Sequence, residues 1–191
     1  MPKKRILTDK EVIKAVLDGD RECFSQLVER YQKGLVTYIY HMIHSYEEAL
    51  ELSQDVFIKV FKSLDKFDGS YKFSTWLYRI ASNHTIDFIR KQKMDLASID
   101  EREDNPDMSP FRVVSGTLNP DEAYSNKVLL KRVMEAMKEL PESYRELILL
   151  RHFNFRSYEA MSRITGLPIG TVKNRIFRAR QMLMEKLEDL R

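Results

Sequence analysis

The amino-acid sequence predicts an all-α protein of two small helical domains joined by a flexible acidic linker. Apolar residues recur at intervals of three and four in nearly every patterned segment, which indicates amphipathic helices. No alternating apolar and polar stretch is long enough to indicate a strand. Residues 93–118 lack sustained periodicity and contain Pro106, Pro110 and many acidic residues. The predicted boundaries are residues 1–94 for the first domain, 95–118 for the linker and 119–191 for the second domain.

The first domain is predicted to contain four helices separated by turn signals. Small polar residues, which accept hydrogen bonds from the first turn of a helix, precede three of these helices: Thr8 or Asp9, Ser45 and Ser74. The predicted helices span residues 9–18, 24–43, 46–64 and 75–92. Between the last two lies the turn-rich segment DKFDGSYK at residues 65–72.

The third and fourth of these helices each have an unusual polar face. On the third, Glu51, Gln54, Asp55 and Lys62 surround the apolar Ile58, which indicates either a docking surface or a solvated acidic face. On the fourth, residues 79, 83 and 90 (Arg, Asn, Arg) share one side of the helix. Basic and amide groups beside aromatic residues are typical of surfaces that bind single-stranded DNA. Trp76 is more often a core residue in such helices.

The second domain is predicted to hold helices at residues 122–140 and 141–153, followed by a helix-turn-helix. In the sequence SYEAMSRITGLPIGTVKNRIFRAR, residues 157–180, Gly166 ends one helix and the next begins near residues 168–171. Val172, Ile176, Ala179 and Leu183 form the apolar side of that last helix. Its other side is polar and basic, which favours insertion into a DNA major groove. An ordinary helical hairpin with a solvated basic face is the alternative.

Charge and composition narrow the class of protein. The formal net charge of the 191 residues is only +3, but two basic modules flank an acidic connector, as expected of two nucleic-acid contacts on a tether. The single cysteine, Cys23, excludes an internal disulfide and is predicted to be a small buried hydrophobe. No segment reaches the length of a membrane span, so we expect a cytoplasmic protein without membrane insertion.

Three blocks of the chain, in order, closely resemble extracytoplasmic-function sigma factors, the small two-domain initiation factors of bacterial RNA polymerase. EEALELSQDVFIKVF (residues 47–61) resembles the segment that binds the clamp helices of the largest polymerase subunit. FDGSYKFSTWLYRIASNHTIDFIR (residues 67–90) resembles the promoter-melting region. The segment from residue 140 to 183 resembles the domain that reads the minus-thirty-five element. The resemblance implies that residues 1–94 are sigma region 2 and residues 119–191 are sigma region 4.

The resemblance, taken together with the faces of the third and fourth helices described above, predicts roles for individual residues. The core polymerase-binding residues are Glu48, Glu51, Gln54, Asp55 and Ile58. The minus-ten DNA-binding residues are Phe67, Asp68, Gly69, Ser70, Tyr71, Lys72, Trp76, Arg79, Asn83 and Arg90. The minus-thirty-five DNA-binding residues are Thr171, Lys173, Asn174, Phe177 and Arg178. The implied partners are core RNA polymerase (clamp and the flap of the second-largest subunit), promoter DNA both duplex and single-stranded, and an anti-sigma factor.

Departures from the family pattern bear on specificity. Glu48 and Glu51 stand where the family commonly has Asp, and Leu50 stands where it often has an acid. In the recognition helix, Lys173 and Asn174 stand where Arg and Ser are common. Lysine lacks the planar fork that pairs with guanine, and asparagine prefers adenine edges, so the promoter sequence is expected to differ from the family's usual one.

Two other functions compete with this interpretation. A stand-alone repressor or activator would use only the helix-turn-helix, and it leaves Trp76, Asn83 and the third helix unexplained. An enzyme is the second alternative, but His41, His44, His84 and His152 are scattered and no phosphate loop, zinc-ligand pair or nucleophile elbow occurs. We therefore expect no catalytic residues, no metal and no cofactor.

Overall fold

The structure, a computed structural model, describes residues 7–96 and 130–188. Every regular element within these two ranges is helical, so the prediction of an all-α protein with two helical domains is confirmed. The chain divides into two compact units. The first unit contains the first described range, and the second unit contains the second range apart from a few of its residues. Most of the predicted linker lies outside the described residues, and its boundaries stay predictions.

The first unit contains four α-helices and two short 3-10 turns. The helices are α1 (Asp9–Leu17), α2 (Ser25–Ile43), α3 (Tyr46–Lys62) and α4 (Phe73–Leu96). The 3-10 turns are Arg21–Phe24, before α2, and Leu64–Lys66, after α3. α2, α3 and α4 pack on one another, and their shared core includes Leu35, Ile39, Val56, Val60 and Leu77. Tyr38 and Tyr78 meet edge to face within it, with ring centroids 5.3 Å apart.

Two of the predicted caps are confirmed and one is wrong. Thr8 and Glu11 form a reciprocal capping box on α1, and Ser45 accepts a hydrogen bond from the Glu48 amide at the start of α3. α4 begins at Phe73, one residue earlier than predicted, so Ser74 is a buried residue of its first turn and does not precede the helix. Phe73 packs against the rings of Tyr31, Phe67 and Trp76.

Cys23 differs from its predicted environment. It lies half-buried in the first 3-10 turn, and its Sγ donates a hydrogen bond to Asp20 Oδ2 at 3.1 Å. The prediction of a small buried hydrophobe is therefore wrong in burial. The 3-10 geometry before α2 turns the thiol toward the loop that follows α1.

The second unit contains the predicted helix-turn-helix. It consists of α5 (residues 130–138), α6 (Glu142–Ile148) continued by a π-helical turn at Leu149–Phe153, α7 (Tyr158–Thr165) and α8 (Ile169–Lys186). Gly166 ends α7 in the left-handed conformation, φ 73°, as the sequence predicts. The apolar side of α8 is buried at Val172, Ile176 and Ala179. Residues 122–129 of the predicted first helix lie outside the described residues.

Arg145 connects α5 to α6 from inside the second unit. Its side chain is only 7% exposed, and Nε donates to the Met137 carbonyl at 3.0 Å. Nη2 donates to the carbonyls of Lys138 and Leu140, the second at 2.9 Å. One guanidinium thus donates to three carbonyls at and just after the end of α5, and the Met137 carbonyl also accepts from the Leu140 amide at 3.2 Å. No helix within the described residues is long and apolar enough to cross a membrane.

Replacing Arg145 with Met is expected to destabilise the second unit by about 3 kcal/mol, because buried carbonyls lose charge-assisted hydrogen bonds. Denaturant unfolding followed by circular dichroism measures this loss. Arg132→Met, at an exposed position of α5, is the matched control and should change stability by less than about 0.5 kcal/mol. Fluorescence of Trp76, the single tryptophan, reports on the first unit and should not change. Equal stability of the two variants would contradict the assigned role.

Candidate polymerase and nucleic-acid interfaces

The exposed side of α3 is a short polar stripe around one apolar side chain. Glu51, Gln54, Asp55 and Ile58, which we call the α3 stripe, are all exposed and follow the spacing of one helix face. Ile58 is 51% exposed, whereas the apolar residues on the opposite side of α3 are buried. Glu48, the fifth predicted polymerase-binding residue, is half-buried in the first turn. The stripe combines negative charge with a central apolar contact, a composition suited to docking on a basic protein surface.

A histidine of α4 contacts the polar side of α3. Lys59 Nζ lies 2.7 Å from Nδ1 of His84, and Nε2 of the same ring lies 3.6 Å from Oδ2 of Asp55. The pKa of His84 is lowered, first by burial and then by the Lys59 charge, against the opposing pull of Asp55 and Asp87. Sequence reasoning treated His84 as a scattered histidine, since nothing in the spacing of α4 indicates which α3 residues it meets.

The loop before α4 has a defined shape. Asp68 Oδ1 accepts a hydrogen bond from the Ser70 amide at 2.8 Å, and Gly69 between them takes a left-handed φ of 71°. Hydrogen bonds from Ser70 hold the pKa of the exposed Asp68 carboxyl below its usual range. Ser70 and Lys72 are exposed, and Tyr71 is half-buried. A preformed turn of this kind presents polar groups without further ordering.

An aromatic cluster anchors this loop to the first turn of α4. The Phe67 ring lies 5.8 Å from that of Phe73 and 5.4 Å from that of Trp76, centroid to centroid. Trp76 is only 8% exposed, so in this structure it is a core residue. Trp76 stands among the predicted minus-ten DNA-binding residues, yet the structure gives its ring no open face on which a base could stack. Phe67 keeps a partly exposed side.

The predicted polar face of α4 is exposed along three turns. Arg79, Asn83, Asp87 and Arg90 follow the i, i+4, i+8, i+11 spacing and all four are exposed. Arg90 Nη1 lies 3.7 Å from Asp87 Oδ1, an exposed pair. Asn83 is about 15 Å along the helix axis from Phe73, from the rise per residue.

The recognition surface of α8 is exposed as the sequence predicts. Lys173, Asn174, Phe177 and Arg178 are exposed and Thr171 is half-buried, on the side of α8 opposite its buried residues. Lys173 is held near an aromatic ring, since its Nζ lies 5.7 Å from the centroid of Tyr158 in α7. Arg151 lies over the same ring at 4.9 Å. The ring thus orients two cations at the edge of this surface.

A depression of about 390 Å³ lies where α6 meets the start of α8. Hydrogen-bond donors surround it, and the residues that line it are Tyr144, Gly170, Thr171, Asn174, Arg175 and Arg178. A Cβ added at Gly170 would meet nothing within 4 Å, so the space above the helix start is open. The predicted minus-thirty-five residues do not include Tyr144, Gly170 or Arg175. Tyr144 could not be found from the sequence, because its position on α6 becomes part of the surface only through packing against α8. A polar, donor-rich depression beside a recognition helix suits an anionic ligand.

Within the described residues, no group of three or more His, Cys, Asp or Glu side chains is placed to hold a metal ion. His41 is buried in α2, and burial lowers its pKa to about 4. A buried neutral imidazole of this kind belongs to the core.

Comparison with protein families assigns both described ranges. Residues 27–94 match the model of Sigma-70 region 2, and residues 130–183 match the model of Sigma-70, region 4. The chain is 35% identical over 182 residues to the ECF RNA polymerase sigma factor SigW of Bacillus subtilis, which covers 95% of this chain and 97% of SigW. It is 34% identical over 189 residues to the ECF RNA polymerase sigma-E factor of Escherichia coli K12, which covers 96% of each chain.

Solved structures share the fold. The sigma factor RpoE of Bartonella quintana, in complex with the anti-sigma factor NepR, has a TM-score of 0.70 and 26% identity over 86% of this chain and 96% of that chain. CnrH, in complex with the cytosolic domain of CnrY, has a TM-score of 0.67 and 23% identity over 95% of this chain and 97% of that chain. The chain belongs to the extracytoplasmic-function sigma factors of the sigma-70 family, as its sequence motifs predict.

Proposed function

We propose that this alternative sigma factor uses three separate surfaces, each with one task in promoter recognition. The α3 stripe binds the clamp helices of the largest polymerase subunit. The loop at residues 67–72 and the exposed face of α4 capture an unstacked minus-ten base, and α8 with its flanking depression reads the minus-thirty-five duplex. This assignment rests on the following observation. Each surface is the exposed side of an element whose other side is buried, and the surfaces follow one another along the chain in the order of the matched sigma regions.

The division of tasks has a physical reason. Each surface is small, so each contact alone is weak, and tethering both units to the polymerase raises their local concentration at the promoter. Unstacking a base costs a few kcal/mol, and a pocket that fits only one base offsets this cost only at the right sequence. DNA melting is then also a step of sequence recognition. No bond is made or broken by this chain, so it acts as a transcription regulator and not as an enzyme.

The partners follow from these surfaces. The protein acts in the bacterial cytoplasm, because its partners are core RNA polymerase and promoter DNA. The second unit makes a second polymerase contact, with the flap of the second-largest subunit. An anti-sigma factor is a further partner, because the similar RpoE structure contains one and the α3 stripe leaves an apolar side chain exposed for such a protein to cover. Because Lys173 and Asn174 replace residues that are common in the family, we expect this protein to recognise a minus-thirty-five sequence that differs from the family's usual one.

Single-round transcription with purified core polymerase on randomised promoters tests the function as a whole. Transcripts that depend on this chain and start downstream of a shared two-part motif are expected. Binding of duplex without polymerase, at a palindromic site and as a dimer, would favour a stand-alone repressor instead.

The paired change Glu51→Lys with Asp55→Lys is expected to abolish binding to core polymerase, since it reverses both charges of the α3 stripe. Pull-down of core subunits and fluorescence anisotropy measure the loss. Glu22→Lys with Glu29→Lys makes the same change of net charge at exposed positions before and within α2. This control should bind core polymerase normally. An equal loss of binding in both paired variants would mean that net charge alone causes the effect.

Asn83→Ala is expected to slow promoter melting about tenfold while leaving polymerase affinity unchanged, because the lost amide contacts DNA only after a base unstacks. Permanganate reactivity of thymines in the minus-ten region follows the melting. Gln32→Ala removes an exposed amide from α2 and should melt promoters at the normal rate. Unchanged melting by Asn83→Ala would exclude it from the minus-ten surface.

Two changes in the depression separate its contacts. Arg178→Ala should weaken binding to a minus-thirty-five duplex by about 1–3 kcal/mol, and Tyr144→Phe, which removes one hydroxyl, by about 1 kcal/mol. Affinities measured at several salt concentrations distinguish the two kinds of contact, because losing a phosphate contact lowers the salt dependence of binding and losing a base contact does not. If Tyr144→Phe binds the duplex with normal affinity, the Tyr144 hydroxyl on α6 does not contribute to DNA binding.

A further inference from the structure

His84 lies on α4 between two oppositely charged side chains of α3. Asp55 and Lys59 are four residues apart on α3, a spacing at which a carboxylate and an ammonium can pair directly. Here the Lys59 ammonium reaches Nδ1 of the imidazole, 2.7 Å away, and the Asp55 carboxylate lies 3.6 Å from Nε2. The imidazole ring therefore lies between the Asp55 carboxylate and the Lys59 ammonium.

The contact with Lys59 defines the protonation state of the ring. A lysine ammonium can only donate hydrogen bonds, so Nδ1 must offer a lone pair and the imidazole is neutral with its hydrogen on Nε2. That hydrogen faces the Asp55 carboxylate at a distance too long for a hydrogen bond. The His84 side chain is 19% exposed and that of Asp55 is 60% exposed, so the carboxylate stays accessible to another molecule.

Charges on both elements act on the ring. From α3 these are Lys59 and Asp55, and from α4 the Asp87 carboxylate, one turn beyond His84. Burial is the largest effect and lowers the pKa of His84 below 6.5, with Lys59 acting in the same direction. The neutral form therefore dominates at neutral pH, and the imidazolium forms only in acid.

We propose that His84 is a positioning residue for polymerase binding, which holds Lys59 and leaves Asp55 available while it is neutral, and which binds Asp55 and releases Lys59 when it is protonated. The imidazolium repels the neighbouring ammonium and converts the 3.6 Å approach to Asp55 into a charge-assisted hydrogen bond. Polymerase affinity then falls as the pH drops through the lowered pKa of His84. This inference rests on the proposed contact of Asp55 with polymerase.

The ring chemistry is tested first in the free chain, without polymerase. Nitrogen-15 NMR of the imidazole should show the Nε2–H tautomer and a titration midpoint below 6.5. Lys59→Met should raise that midpoint and Asp55→Asn should lower it, because the first removes a repelling charge and the second an attracting one. An Nδ1–H tautomer, or midpoints that neither change moves, would overturn the proposal.

Polymerase affinity measured on both sides of the titration midpoint that the NMR gives tests the consequence. The natural chain should lose about fivefold in affinity relative to His84→Asn once the ring is protonated, since one ion pair is at stake. His84→Asn keeps an acceptor for Lys59 but cannot titrate, and His84→Gln is a second non-titrating variant should the first fold poorly. His152→Asn is the control, because His152 also has a lowered pKa but lies in the other unit beside Arg180.

The outcomes are separable. A His84→Asn profile parallel to that of the natural chain overturns the positioning role, whereas a profile flattened by His84→Asn and unchanged by His152→Asn supports it. If the natural chain fails to bind core polymerase at any pH, the proposed function of the α3 stripe is wrong. The NMR measurement still decides in that case whether His84 holds Lys59 and Asp55.

Discussion

The packing of α2, α3 and α4 around one core is the constraint on which the first unit depends. α3 and α4 each give one face to this core, so only the opposite face of each can meet another molecule. Val56 and Val60 are fully buried, which forces Asp55 and Ile58 outward. The burial of Leu77 and Ala81 likewise forces Arg79 and Asn83 outward. The surfaces assigned to polymerase and DNA are thus the faces of α3 and α4 that the core leaves exposed.

This dependence explains how far the sequence predicts the molecule. Helical periodicity identifies the two faces of α3, α4 and α8, and a left-handed glycine marks the turn of the helix-turn-helix. The side of α8 opposite Val172 and Ile176 is exposed as predicted, so the exposure of these candidate site residues follows from period alone. Their contacts with DNA and polymerase stay predictions, because the structure contains neither.

What the sequence could not predict depends on contacts between elements. The helix pattern favours a core position for Trp76 while the family resemblance places it at the DNA, and the cluster with Phe67 and Phe73 decides between them because it covers the ring. Tyr144 and Arg145 are adjacent on α6, yet the first faces the depression and the second turns inward to the carbonyls at the end of α5. Two residues that are not glycine take a left-handed φ: His44, the C-cap of α2, at 63°, and Phe155, in the loop after the π-helical turn, at 51°. Backbone hydrogen bonds hold both places, from the His44 amide to the Tyr40 carbonyl and from the Arg156 amide to the Leu150 carbonyl.

The same packing makes α3 and α4 mechanically interdependent. His84 belongs to the helix that carries Asn83, yet its ring reaches the helix that carries Asp55. A side chain that spans the two helices lets the charge state of one surface alter the groups displayed on the other. In a protein whose separate contacts are individually weak, a change of one ion pair is a sizeable share of any single contact. The protonation proposed for His84 therefore acts at the interface between α3 and α4, next in the chain to the Asn83 to which DNA capture is assigned.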